Sequence, residues 1–277
     1  MQLIERLAGR PVVASVSGGK DSAALALWLT EQGIEHTRVF MDTGWENDAT
    51  YDYLRGPLTA AIGPIIELKP RLQMVDLVRK KGMFPSRLRR FCTEELKVLP
   101  LRDYLASLAS EAVNAVGIRA EESQVRAAMP EWEWSKALDA ETWRPLLHWS
   151  FDDVRAIHAR HGLAPNPLYL WGAERVGCWP CIFERKAGIE LVALRSPARI
   201  DLIEQLEAEL TERAGAPRRW FQGKTARSSL VPIREVVTWS KTERGGKVPK
   251  LYDPPSDAGC VRWGLCDTPR TPDDVNG

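Results

Sequence analysis

The chain has 277 residues, of which 44% are hydrophobic and 27% charged, and its formal net charge is +1. This composition predicts a folded protein with one large domain, or one domain and a smaller lobe, and it excludes a global basic field for nucleic acid. No apolar run reaches the length of a membrane span, and the first residues lack a signal peptide, so we expect a cytoplasmic protein without membrane contact.

The first predicted strand and helix are joined by a glycine-rich segment. The strand covers residues 11–16 and the helix residues 21–32. Paired glycines let the backbone approach a phosphate closely, and a helix N-terminus favours negative charge. The segment is not a Walker A loop, because Ala14 and Asp21 stand where that motif needs Gly and Ser or Thr. It predicts a phosphate site formed by Ser15, Ser17, Gly18, Gly19, Lys20, Asp21 and Ser22.

This order of residues after a strand resembles the PP-loop of the ATP pyrophosphatase superfamily. The resemblance implies that ATP phosphates bind here and that Lys20 and Asp21 are catalytic. Magnesium is then expected, because the leaving pyrophosphate must be neutralised. The structural alternative is an aspartate that caps a helix after a glycine turn.

Asp42 follows the second predicted strand, Thr37–Met41. The carboxyl ends of parallel strands face the ligand, so Asp42 is expected beside the phosphate loop. An Asx turn closed by Gly44 is the alternative. The patterns that follow predict a helix over 48–55, a strand over 64–68 and a helix over 71–81.

A basic run, Arg87-Leu88-Arg89-Arg90, leads directly to Cys92. Cys92, Lys97 and Pro100-Leu101 resemble the segment of sulfonucleotide reductases in which two adjacent cysteines precede Lys and Pro-Leu. Thr93 stands in place of the second cysteine. The resemblance implies that Cys92 is a ligand of an iron–sulfur cluster.

Another apolar strand, Val113–Ile118, ends at Arg119. The run from Gly117 to Ser123 resembles a phosphate-proximal segment of the phosphoadenosine phosphosulfate (PAPS) reductase family, which implies that Gly117 and Arg119 contact the nucleotide. A guanidinium group suits a phosphate because its planar fork binds two oxygens. A surface ion pair of Arg119 with a nearby glutamate is the alternative.

The sequence pattern in the middle of the chain predicts a connection between two domains. Residues 132–137 are expected in a loop, residues 144–149 in an extended segment, and a helix is expected from the Ser150 cap to His161–Gly162. The Pro-containing run 166–169 then separates a nucleotide-binding domain, residues 1–165, from a cysteine-bearing lobe, residues 166–277.

Five cysteines without an export signal favour metal or redox chemistry over disulfides. A zinc site and a simple redox or inert CxxC are alternatives to an iron–sulfur cluster. The run 166–181 resembles the CxxC region of PAPS reductase family proteins, including those of DNA phosphorothioation. The resulting hypothesis is a [4Fe–4S] cluster on Cys92, Cys178, Cys181 and Cys266, with Cys260 as a spare sulfur-carrying nucleophile.

The lobe continues with a helical pattern over 187–214 that Pro197 interrupts. Residues 217–229 then mix basic side chains with two aromatics, a composition that either binds a polyanion or forms a solvated loop.

The resemblance covers nearly the whole chain and implies an open, mostly parallel α/β sheet of the adenine-nucleotide alpha-hydrolase type, which is Rossmann-like, with a smaller C-terminal lobe. The first functional hypothesis is ATP-dependent adenylation and sulfur transfer, with a nucleic acid as acceptor and a sulfur-donor protein or thiol reductant as partner. The second is reduction of PAPS or adenylyl sulfate (APS), although the Glu-Cys-Gly-Leu-His signature of reductases has only a partial counterpart at 264–267. A non-catalytic nucleotide sensor or subunit is the third.

Overall fold

The computed structural model describes residues 2–221 and 231–243. Within them, one six-stranded sheet has the order β3-β2-β1-β4-β6-β5. All neighbouring strands are parallel except β5 and β6. The predicted open, mostly parallel α/β fold is confirmed. The strands are β1 (Val12–Ser15), β2 (Thr37–Met41), β3 (Ile65–Leu68), β4 (Val113–Val116), β5 (Trp132–Ser135) and β6 (Ala140–Trp143).

Helices connect and flank the strands. Two wide turns, Leu54–Leu58 and Glu94–Val98, each connect two helices. Pro57 lies inside the first and Pro100 soon after the second, where a ring without an N–H disfavours a regular α-turn. The helices are α1 (Gln2–Leu7), α2 (Lys20–Glu31), α3 (Asp48–Tyr53), α4 (Thr59–Ile62), α5 (Met74–Lys81), α6 (Phe91–Thr93), α7 (Leu99–Ala106), α8 (Gln124–Ala127), α9 (Phe151–Arg160), α10 (Pro167–Leu170), α11 (Lys186–Arg195), α12 (Pro197–Ala214) and α13 (Ile233–Ser240). In the part of the chain that the structure describes, none of these helices has the length and apolarity to cross a membrane.

Helix α2 packs against the sheet along almost its whole length. Its run Ala23–Leu27 is buried, and three of those five residues are alanines. Small side chains let the helix approach β1 and β4 closely, and the largest core cluster forms around this contact. The N-terminus of α2 is thereby held rigidly at the carboxyl edge of the sheet.

A second core cluster joins distant parts of the chain. Trp45 and Trp220 stack with ring centroids 4.9 Å apart, and Phe84, Leu96 and Trp179 belong to the same cluster. Its members come from both sides of residue 165. The boundary at 165/166 itself stays a prediction.

The prediction of a loop over residues 132–137 is wrong. Trp132–Ser135 forms β5, an edge strand paired antiparallel with β6. The stacking of Trp132 on Trp143, with centroids 5.0 Å apart, holds this edge in place. The extended segment also lies earlier than predicted, because β6 ends at Trp143 and turns follow it. The predicted cap is confirmed, since Ser150 accepts from the Asp153 amide.

Candidate functional site

The glycine-rich segment turns from β1 into α2 around two glycines. Gly18 has φ +73°, in the left-handed region, and Gly19 is the N-cap of α2. The Ser22 hydroxyl donates to the Gly19 carbonyl (2.9 Å) and accepts from the Ser17 amide (3.1 Å). The first amides of a helix have no acceptor within the helix. The glycine turn and the start of α2 therefore lie where the sequence predicted them, and the binding of a phosphate there stays a prediction.

The α9–α10 region fixes this loop from outside. Asn166 Nδ2 donates to the Gly18 carbonyl (3.1 Å), and His158 Nε2 donates to the Lys20 carbonyl (2.9 Å). The Tyr169 hydroxyl accepts from the Lys20 amide (3.2 Å). Sequence reasoning missed these three residues as parts of the site. Asn166 and Tyr169 had a visible signal in the Asn-Pro-Leu-Tyr run, whereas His158 had none.

Tyr169 also connects the loop to the cysteine segment. The backbone of Val176, two residues before Cys178, also acts on this hydroxyl and partly offsets the effect of burial on its pKa. Burial raises the pKa of the phenol well above its usual value. One neutral hydroxyl thus bridges the first turn of α2 and the start of the CxxC segment.

A compact charge network lies behind the loop. Asp21 accepts from Arg119 Nε at 2.6 Å and lies 3.0 Å from Lys20 Nζ. Arg119 Nη1 also donates to Glu121 at 2.7 Å, so the ion pair considered as the alternative does form. Arg119 is only 4% exposed, so its guanidinium group is directed to the carboxylate of Asp21 and not to solvent. A nucleotide contact for Arg119 stays a prediction.

Gly117 has a steric role beside the same network. A Cβ at this position would lie 2.4 Å from the Asp21 carbonyl oxygen and 3.0 Å from the Ser22 nitrogen. Only a glycine lets the chain after β4 approach the first turn of α2 this closely. Its predicted contact with nucleotide stays a prediction.

Asp42 lies at the end of β2, the neighbour of β1 in the sheet. Its carboxylate accepts from the Gly44 amide (3.0 Å) and the Tyr51 hydroxyl (2.6 Å). The Asx turn is therefore present. Tyr51 also donates to Glu46 (3.1 Å), and burial with these two carboxylates raises its pKa. Asp42 shares the sheet edge with the loop, and its binding of nucleotide stays a prediction.

Three of the five cysteines lie close enough to Lys97 to act on it electrostatically. Cys92, Cys178 and Cys181 are each half-buried, and all three thiols act electrostatically on the Lys97 ammonium. The charge of the Cys178 thiolate is the main reason why the pKa of Lys97 is raised. Burial in turn raises the pKa of Cys178 to about 11, against the pull of Lys97.

The CxxC turn is anchored by two tryptophans. Trp45 Nε1 donates to the Pro180 carbonyl (3.0 Å), and the Trp179 amide donates to the Trp45 carbonyl (2.8 Å). Trp179 Nε1 donates to Ser196 Oγ (3.0 Å). The thiols are therefore fixed to the segment after β2 and to the start of α12.

The three thiols fit a thiolate-bound cluster in their chemistry, since they share a half-buried cation that can offset cluster charge. Among residues 2–221 and 231–243, no group of three or more Cys, His, Asp or Glu side chains has the spacing of an assembled metal site. The predicted fourth ligand, Cys266, and the predicted nucleophile, Cys260, lie outside the described residues. The cluster and its ligand set stay predictions.

The family model for the phosphoadenosine phosphosulfate reductase domain matches residues 11–184. The chain belongs to this family. The PAPS reductase match starts just before β1 and ends after the CxxC pair, so it includes the loop, the charge network and the three described thiols.

Two relatives differ in how much of the molecule they share. A 37.8 kDa protein from the gpa 5′ region of Escherichia phage 186 is 32% identical over 92% of this chain and 96% of its own length. An adenosine 5′-phosphosulfate reductase from Streptomyces coelicolor is 31% identical over 52% of this chain and 60% of its own length. The chain thus spans less than two thirds of that reductase.

A solved structure shares the fold. The PAPS reductase from Candida auris, in its phosphate complex, matches with a TM-score of 0.50 and 22% identity. The match covers 64% of this chain and 87% of the reductase. Similarity at this level supports the sheet architecture alone.

Proposed function

We propose that this PAPS reductase family protein binds ATP at the loop Ser15–Ser22, adenylates an acceptor and transfers sulfur to it. The observation that carries the proposal is the Tyr169 bridge. One hydroxyl accepts from an amide of the phosphate loop (3.2 Å) and also interacts with the backbone of the cysteine segment at Val176. A loop built for phosphates and a set of thiols are therefore joined by a single buried side chain.

The loop would act on the phosphates of ATP. The acceptor oxygen attacks the α-phosphorus, the bond from that phosphorus to the bridging oxygen breaks, and pyrophosphate leaves. The Lys20 ammonium and the amides of Asp21 and Ser22 would offset the charge that develops on the pyrophosphate. Asp21, held by Arg119, keeps the Lys20 ammonium at the loop. Magnesium bound with the nucleotide would share this neutralisation.

The thiol site would supply the second half of the reaction. Sulfide attacks the activated carbon of the acceptor, the bond from carbon to the adenylated oxygen breaks, and AMP leaves. Cys92, Cys178 and Cys181 would hold a cluster together with a thiol outside the described residues, and such a cluster supplies a binding point for sulfide. Lys97 would stabilise the thiolate form that cluster binding requires.

The test is anaerobic purification with iron and sulfide analysis, followed by incubation with ATP, magnesium, sodium sulfide and oligonucleotide. Pyrophosphate and AMP are expected from the wild type and from Lys136→Ala, a control in the β5–β6 turn. Lys20→Ala should lose most of this activity. A protein without iron or sulfide would contradict the cluster, and equal activity in Lys20→Ala would contradict the loop assignment.

The second candidate is reduction of an adenylyl sulfate, which the similarity to adenosine 5′-phosphosulfate reductases favours. The same samples are therefore given PAPS or APS with a thiol reductant. Sulfite release without pyrophosphate from ATP would replace the first proposal with the second. Nucleotide binding without either reaction would favour a sensor or subunit.

A further inference from the structure

A tight turn presents three arginines and a leucine to solvent. In this arginine turn, Ser86–Arg90, the Ser86 amide donates to the Arg89 carbonyl (3.1 Å) and the Arg89 amide to the Ser86 carbonyl (3.2 Å). Leu88 stands at the tip and is 96% exposed. Leu88 thus places one apolar side chain between exposed cations at the molecular surface.

Within the part of the chain that the structure describes, the cations of the turn have no carboxylate partners. Arg89 Nη1 lies 3.5 Å from the Met83 sulfur, and Arg90 Nη2 donates to Thr93 Oγ1 at 3.1 Å. Across the described ranges, none of the ion pairs includes an arginine of this turn. The positive charges of three guanidinium groups within four residues are thus available to an anionic partner.

The fold places the arginine turn beside the thiols. The guanidinium carbons of Arg87 and Arg90 lie 5.5 Å and 5.2 Å from the ring centroid of Phe183. Phe183 follows Cys181 by two residues, and Cys92 follows Arg90 by two. Two segments that are far apart in sequence therefore form one basic rim at the cysteine site.

We propose that this rim binds the sugar-phosphate backbone of a single-stranded nucleic acid and brings it to the thiols. Guanidinium groups pair with phosphate oxygens, and arginine planes and apolar side chains also contact unstacked bases. Leu88 fits such a base, whereas a duplex keeps its bases stacked inside. The inference deepens the proposed function, on which it rests, by giving the class of the acceptor.

The test is fluorescence anisotropy with labelled RNA and DNA single strands of about 20 nucleotides, without ATP, over about 50 to 200 mM salt. The triple variant Arg87→Gln, Arg89→Gln, Arg90→Gln should bind at least about tenfold more weakly, and its salt slope should be smaller by about 2. The control removes three exposed cations elsewhere, by Arg55→Gln, Lys136→Gln and Arg160→Gln. The control should bind like the wild type.

Four results would overturn the inference: no binding by the wild type, equal weakening in the two triple variants, equal binding of a duplex, or equal competition by polyglutamate. Thermal unfolding checks that the variants fold, and the single reversal Arg89→Glu repeats the test with less disturbance. The binding test contains no ATP, so pyrophosphate release is measured in a separate experiment. Binding without pyrophosphate defeats only the proposed reaction, and pyrophosphate without rim-dependent binding defeats only this inference.

Discussion

The phosphate loop and the thiol site use charge in opposite ways. Behind the loop, Lys20, Asp21 and Arg119 pair with one another and leave little charge unbalanced. At the thiol site, the Lys97 ammonium faces thiols, and the arginines of the rim have no carboxylate partner among the described residues. The charges behind the phosphate loop are therefore paired within the protein. The positive charges at the thiol site are available to a bound cluster and to an anionic acceptor.

The largest stability effect is expected from Arg119→Ala. This variant leaves Asp21 buried without its main cation, and breaking a buried pair in this way costs about 3 kcal/mol. Urea unfolding measures the loss. The matched control is Arg126→Ala, which removes an exposed ion pair with Glu122 and should cost less than about 1 kcal/mol. Equal losses in the two variants would mean that the loop network is not preorganised.

The next largest loss of stability is expected from Gly117→Ala. The new methyl group must displace the Asp21 carbonyl, and overpacking of this kind costs about 1–3 kcal/mol. ATP affinity should fall as well, because the first turn of α2 moves. Gly56→Ala, in the wide turn Leu54–Leu58, has open space around the added carbon and is the control. Unchanged stability of Gly117→Ala would refute the close approach.

Tyr169→Phe tests the connection between the two regions. The change removes the acceptor of the Lys20 amide and the hydroxyl that interacts with the Val176 backbone, and it keeps the ring, so it should cost about 1 kcal/mol of stability and a few-fold in ATP affinity. Tyr104→Phe, on α7, is the control. Calorimetry of nucleotide binding measures the effect. An unchanged ATP affinity would mean that Tyr169 does not couple the phosphate loop to the cysteine segment.

The smallest effect concerns the Cys178 thiol. With a pKa of about 11, only about 1% of it is ionised at pH 9, and Lys97→Met should slow its alkylation by a further factor of about 3 to 10. The sign follows from the loss of the ammonium that favours the thiolate. Mass spectrometry of iodoacetamide-treated, iron-free protein gives the rate, with Lys80→Met as control. Faster alkylation of Lys97→Met would contradict the arrangement.

The loop could be predicted from sequence because its signal is local. The glycine pair, the strand before it and the helix after it all lie between residues 11 and 32, and the structure places β1 and α2 within one residue of their predicted bounds. Thr37–Met41 matches β2 to the residue for the same reason. Short apolar runs next to a glycine turn need no distant contact to be recognised.

The other parts of the site depend on contacts between distant residues. His158 reaches the Lys20 carbonyl from α9, and Phe183 meets Arg87, a residue far from it in sequence. Neither contact has a spacing that a sequence pattern could reveal. The edge strand Trp132–Ser135 was missed because its stability comes from stacking on Trp143 and not from an alternating pattern of buried residues.

The hydroxyl shared by Lys20 and Val176 also has a thermodynamic consequence. If nucleotide binding changes the position of the Lys20 amide, the same oxygen shifts relative to the segment that ends in Cys178. Coupling between two binding equilibria is reciprocal, so filling the cysteine site must change nucleotide affinity by the same factor as nucleotide changes occupancy of the cysteine site. A titration of either ligand in the presence of the other therefore yields the coupling free energy between the two sites, and the same titration of Tyr169→Phe gives the share that depends on this hydroxyl.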